Sequence, residues 1–226
     1  MRIIYAKYGI DLCLEENKIT TIVIENPLVM SEVIRDISRQ VNGEDGEWIL
    51  SEQDKIFSIE KSSQFINNPL MVNSNEKRIL TRLYKELFEQ ANTLMYEEYT
   101  QINSYIVSFL VRLLDTVPYH LDMEIDMDLT GILKLYGVKM ESDGVGVLEV
   151  LIDYLRALSS ICNIHVIWIL NVKQFLTVEE VQQLYEFCFY EKILLINLEG
   201  QKNYNLEHEK CVIIDKDLCI IDTSSN

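Results

Sequence analysis

The sequence predicts an α/β protein, with a mainly parallel sheet covered by helices and a helical segment inserted in the chain. Three observations predict it. The last third alternates nearly all-apolar runs, Ile164–Leu170 (IHVIWIL) and Ile193–Leu198 (ILLINL), with amphipathic stretches. That is the pattern of parallel strands buried on both faces. The first third is also strand-rich, and between the two lies Glu76–Val117, which contains no Gly or Pro and repeats apolar residues at helical spacing. Strands on both sides of this arm imply one discontinuous head, residues 1–75 and 142–226, and a helical leg, residues 76–141.

Along the chain, Ile3–Tyr8 and Ile19–Ile24 are rich in β-branched and aromatic residues and read as strands. Asn26-Pro27 ends the second, and Pro27 suits the first position of a helix. Val29, Val33, Ile34 and Ile37 carry that helix over Leu28–Val41, and Asn42–Gly46 is a turn. Trp48–Leu50, Ile56–Ile59 and Phe65–Val72 read as short strands or loop pieces. In the arm, Leu80, Leu83, Leu87 and Ala91 make one stripe, and Tyr99, Ile102, Ile106, Phe109 and Leu113 another. The register shifts at Leu94–Met95, beside the weak helix formers Asn92 and Thr93, which predicts two helices or one broken there. Such an arm buries its stripe against a second helix or another subunit. Leu129–Tyr136 is a short helix closed by Gly137. Val145–Ile161 is helical, and Thr177 with Glu180 makes a capping box opening the helix Val178–Tyr190. Val212–Ile214 and Leu218–Ile221 are short strands near the end.

Composition narrows the function. The 226 residues are 48% hydrophobic, enough for a well-buried core, but 36 acids against 20 bases leave a formal charge of −16. Taken alone, that disfavours nucleic acid, whose affinity for proteins comes largely from Lys and Arg. No apolar run reaches membrane-spanning length and MRIIYAKYGIDLC has no signal-peptide core, so a soluble, cytoplasmic protein is expected. Cys13, Cys162, Cys188, Cys211 and Cys219 form no C-x-x-C and read as mostly buried free thiols. His120, His165 and His208 are too scattered for a zinc site.

The most distinctive stretch is Tyr119–Asp128, YHLDMEIDMD. Asp122, Glu124, Asp126 and Asp128 occupy every second position, and no Lys or Arg occurs between Arg112 and Lys134. In an extended backbone such side chains share a side. The clustered carboxylates either form a solvated acidic loop or bind a hard cation such as calcium. An EF-hand is excluded, because its glycine position holds Met127 and its closing glutamate position Leu133.

The α/β pattern has the look of a nucleotide-binding core without its working parts. Neither G-x-x-x-x-G-K-[ST] nor G-x-G-x-x-G occurs, and Asp143-Gly-Val-Gly146 lacks the lysine and hydroxyl of a phosphate loop. G-x-S-x-G and H-E-x-x-H are also absent. Asn171 ends a strand at a position that often serves function in α/β folds, but a strand-end turn is the reading preferred for it.

Three segments together resemble one family: Leu121–Asp126 (LDMEID), Leu135–Glu141 (LYGVKME), and Ile169–Val181 (ILN-x-x-x-FLT-x-EEV) followed by LLINLE (Leu194–Glu199). They resemble the small CRISPR-associated adaptation protein of type II-A systems, the Csn-two family, and the order of elements agrees over essentially the whole chain. The resemblance implies a P-loop-ATPase-like head with a helical leg, in a ring-shaped homotetramer without catalytic activity. It further implies binding of double-stranded DNA ends in a central pore, bound calcium, and a part in spacer acquisition beside other adaptation proteins and the RNA-guided effector nuclease. It places Asp122, Glu124 and Asp126 in the calcium-binding run, with Glu141 as a further ligand. Asp128 joins them by its alternation alone, because the stretch after Asp126 is one residue shorter than the family pattern. Ser159–Asn163 (SSICN) stands where relatives carry a lysine cluster, so no DNA contact is implied there.

A ring reconciles acidity with DNA by turning lysines inward and acids outward, since charge distribution and not net charge decides binding. Lys134 and Lys139, flanking the short helix after the acidic run, are the first candidate DNA contacts, and Arg156 and Lys173 the next. The tetramer is expected to assemble mainly through the heads. Two rival functions remain open: a divergent ATPase-like enzyme whose acidic run binds magnesium, and an interaction scaffold whose arm docks a partner without binding DNA.

Overall fold

A computed structural model describes residues 1–53, 55–141 and 144–222. The chain divides into two compact units, Met1–Ser74 with Ser142–Asn226, and Asn75–Glu141.

The first unit opens with strand β1 (Arg2–Tyr5) and strand β2 (Ile10–Cys13). The expected single strand Ile3–Tyr8 stops at Tyr5, because Ala6–Tyr8 form a 3-10 turn and Gly9 takes φ +66, a left-handed conformation that glycine adopts without strain. β2 therefore returns antiparallel, with Arg2 opposite Cys13 and Tyr5 opposite Ile10. Next come β3 (Ile19–Ile24), helix α1 (Pro27–Val41), β4 (Trp48–Glu52), β5 (Lys55–Phe57), the one-turn helix α2 (Ile59–Ser62) and β6 (Ser63–Ile66). α1 starts where expected: Asn26 Oδ1 accepts from the Leu28 and Val29 amides at 3.0 and 3.4 Å, and Pro27 follows as the first helical residue.

The second unit contains α3 (Lys77–Thr93), α4 (Tyr96–Leu114) and α5 (Leu129–Leu135). α3 and α4 part at Leu94–Met95, as the register shift predicts. Asn92 Nδ2 and Thr93 Oγ1 donate back to the Phe88 and Glu89 carbonyls at 2.9 and 2.8 Å, which competes with the helical ladder. α5 closes in a Schellman arrangement. Gly137, at φ +63, donates to the Lys134 carbonyl at 3.0 Å, and Val138 donates to that of Leu133 at 2.9 Å.

The chain then returns to the first unit with α6 (Val147–Ser160), β7 (Val166–Leu170), α7 (Val178–Tyr190), β8 (Leu194–Glu199), β9 (Glu209–Ile214) and β10 (Ile220–Asp222). Six strands form the main sheet, in the order β10-β9-β3-β8-β7-β6, parallel except for β10. All six residues of β3 are buried, as a central strand covered on both faces requires. The α/β class with a mainly parallel sheet is therefore as expected.

A second sheet was not anticipated: β2-β1-β4-β5, antiparallel throughout. Its alternating burial is that of a sheet with one wet face. The dry face packs with α1 onto the main sheet, where Trp48 of β4 meets Trp168 of β7 edge to face at 4.8 Å. Ile22, Val33, Ile37, Leu50 and Leu198 belong to the same core. Cys162, Cys188 and Cys211 are buried, while Cys13 and Cys219 are exposed.

Candidate functional site

The acidic run is not a strand. Tyr119–Asp128 form no regular element, and Asp122, Glu124, Asp126 and Asp128 are all exposed. Among the described residues no strand pairs with them to impose the pleat that would turn alternate side chains together. The Asp122 carboxylate accepts from the amide of Met123 at 2.9 Å. Asp128 is the N-cap of α5, its Oδ1 accepting from the Gly131 amide at 2.9 Å, so one of its oxygens is already committed to the backbone. Glu124, Asp126 and Asp128 do share the rim of one open groove of about 350 Å³, facing Asn103, Ile106 and Leu110 of α4. Tyr99 donates to the Met127 carbonyl at 3.0 Å and so ties the run to α4. Glu141 is exposed at the end of this unit. Among the described residues no three acid, His or Cys side chains lie together as a metal-binding group. The donors are hard oxygens of the kind calcium prefers, but calcium takes six to eight converging oxygens and this arrangement within one chain does not fit it.

The cations separate into two kinds. Lys134, in the last turn of α5, and Lys139, just after Gly137, are exposed. Lys139 is presented by a pinned segment. Tyr84 Oη donates to the Val138 carbonyl at 2.7 Å, and Asn75 exchanges two hydrogen bonds with the Met140 backbone at 3.0 and 2.8 Å. Arg156 is engaged on its own surface, with Nη1 3.3 Å from Asp153 Oδ1 and its guanidinium 5.3 Å from the Phe187 ring centre.

Lys173 must be corrected from a candidate DNA contact to an internal group. Its side chain is 2% exposed, and Nζ donates to Glu209 Oε1 at 2.6 Å and to the Tyr204 carbonyl at 2.8 Å. Moving it to a phosphate would strand a fully buried carboxylate.

Lys173 anchors a polar network that the sequence reading missed. On one face of the main sheet, Asn197 Nδ2 donates to Tyr185 Oη at 2.7 Å and to Thr21 Oγ1 at 3.3 Å, and Thr21 in turn donates to Glu209. Glu209 also accepts from the Leu206 amide at 3.0 Å. Glu199, 1% exposed at the end of β8, accepts from the Lys173 amide at 3.2 Å. Burial pushes its carboxyl up to about 7, against the pull of nearby Lys173, and pushes the Tyr185 hydroxyl well above the ordinary phenol range. A signal was available: Asn197 and Glu199 lie in an otherwise apolar strand, where buried polar groups need partners.

The remaining motifs behave as structure. Asn171, at φ +50, accepts from the Gly200 amide at 3.0 Å and joins the ends of β7 and β8, so it is a strand-end turn. Of the turn before α6, Asp143 lies outside the described residues. A Cβ on Gly144 would meet Glu149 Cβ at 3.0 Å, and the Glu149 carboxylate folds against Gly146 at the start of α6. A carboxylate thus occupies the helix end where a phosphate would be received.

A family model for the CRISPR-associated protein (Cas_Csn2) matches residues 40–218. Two solved ATP-binding cassettes align with the chain. One, of an ABC transporter in its ADP conformation, is 14% identical, with a TM-score of 0.44 over 91% of this chain and 79% of that one. The other, a dimeric post-hydrolysis cassette bound to ADP and Pi, is 10% identical, with a TM-score of 0.39 over 91% of this chain and 84% of that one. No curated protein matches the chain. The family match spans the greater part of both units, and the chain belongs to the Cas_Csn2 family of CRISPR-associated proteins.

Proposed function

We propose that this protein binds the ends of double-stranded DNA without reading their sequence, as a calcium-stabilised homotetrameric ring, during acquisition of new CRISPR spacers. It acts without catalysis, beside other adaptation proteins and the effector nuclease. The observation that carries the reading is the pair Lys134 and Lys139. Both are exposed, on a turn held by backbone hydrogen bonds, and neither has an ion-pair partner among the described residues of this strongly acidic, CRISPR-associated chain. Fixed cations facing a phosphate backbone supply sequence-independent affinity through counterion release. Calcium enters as a hard cation whose remaining oxygen ligands a neighbouring copy in the ring would supply, since the carboxylates of one chain do not converge among the described residues.

A gel shift with linear and covalently closed circular duplexes, with and without calcium and at two salt concentrations, tests the reading. Linear duplexes of any sequence are expected to bind, and to weaken steeply with salt. Equally tight binding to closed circles would rule out threading.

A further inference from the structure

The cations of the second unit are concentrated at the start of α3, between Glu76 and Glu86. Lys77–Lys85, the first half of α3, carries Lys77, Arg78, Arg82 and Lys85 and no carboxylate, in a chain whose formal charge is −16. At 100° per residue, positions 78, 82 and 85 fall on one helix face. It is the outward face: Arg78, Arg82 and Lys85 are exposed, whereas Ile79 and Tyr84 are buried and Leu80, Leu83 and Leu87 half-buried. The hydrogen bonds from Tyr84 to Val138 and from Asn75 to Met140 dock the Lys139 segment against the buried Tyr84 side of this half of α3 and its N-terminal end. The carboxylates Glu124, Asp126 and Asp128 line the groove beside α4 instead. The start of α3 is thus cationic, and Glu86 and Glu89 are exposed in the turn that follows.

We infer that the outward face of α3 is a duplex-binding surface, with Arg78, Arg82 and Lys85 contacting phosphates of the bound DNA. This rests on the reading of the protein as a DNA-end binder, and adds residues that reading did not include. The dimensions fit. Arg78 to Lys85 spans about 10 Å of helix, and one DNA strand presents a phosphate about every 3.4 Å of its axis, so the stripe covers about three phosphates. Lys77, Thr81, Glu86 and Glu89 are the other exposed side chains near these cations, and phosphate contact through the cations positions a duplex without reading its bases. The pair Lys85–Glu89, at 3.7 Å and well exposed, is weak enough to yield to a phosphate.

The test is binding of a linear duplex across a salt series by Arg78→Gln/Arg82→Gln/Lys85→Gln, with gel filtration and circular dichroism as checks of folding. Gln keeps helix propensity close to that of Arg and Lys. Affinity is expected to fall on the order of ten- to a hundred-fold, and the slope of log affinity against log salt to become shallower by about 2 to 3. Arg78→Lys/Arg82→Lys, which retains the charges, is expected to keep the slope. A charge-matched control in the first unit, Lys61→Gln/Lys202→Gln/Lys216→Gln, is expected to change it far less. An unchanged slope in the α3 variant, or an equal loss in the control, overturns this inference while leaving DNA binding in place. Failure of the unaltered protein to bind any linear duplex overturns both.

Discussion

At the scale of single residues, two carboxylates that look alike in the sequence have different tasks. Glu199 is buried near one cation, Lys173, a second carboxylate, Glu209, and the phenols of Tyr185 and Tyr204. Its carboxyl stands at about 7, above the ordinary 4.5. Between those values the folded protein holds a proton that the unfolded chain has released. Stability therefore falls as pH rises through this window and levels off above about 7. Glu199→Gln is expected to raise stability at pH 8 by on the order of 2 kcal/mol and to have little effect at pH 5, measured by urea unfolding at both. A larger gain at pH 5 than at pH 8 would contradict the assignment. Asp128 acts through the backbone. Asp128→Ala removes the cap of α5 and is expected to cost about 1 kcal/mol whether or not calcium is present. A cost seen only with calcium in calorimetric melts would make it a ligand instead.

At the scale of elements, local signals translated well. The weak helix formers Asn92 and Thr93 mark the break between α3 and α4, and Thr177 with Glu180 opens α7 with both capping-box bonds made. α4 leaves its apolar stripe largely uncovered. It has no buried residue, and Ile102, Tyr105, Phe109, Val111 and Leu113 are exposed. In the proposed tetramer, another copy covers part of this face. Burial of one Phe side chain contributes about 1.5 to 3 kcal/mol. Phe109→Glu is therefore expected to weaken assembly at least about tenfold, seen in sedimentation as smaller species with helix content retained. An unchanged tetramer would leave assembly to the heads alone, the surfaces through which it is mainly expected to form.

At the scale of the whole molecule, calcium and assembly are expected to be linked. A cation bound only by the folded, assembled protein raises its melting temperature through mass action. Chelator is expected to lower both melting temperature and oligomeric order, and calcium to restore them; if neither moves, the acidic run is a solvated loop. Membership of the family was legible in Leu121–Asp126, Leu135–Glu141 and Ile169–Val181, all within the residues that the family match covers. The sequence by itself determined α1, the broken pair α3 and α4, α5, α6 and α7, the helix signals at Pro27, Gly137 and Thr177, and the apolar strands β3, β7 and β8, but not the one-turn helix α2. Those signals are periodicity and capping, which act over a few neighbouring residues. Only the tertiary structure decided that short strands such as β5 join a separate antiparallel sheet, that Lys173 faces Glu209 and not solvent, and that the acidic run is irregular. These outcomes rest on contacts between distant parts of the chain, as when Thr21 meets Glu209. A residue's type limits what it can do, but burial and pairing decide which of those things it does.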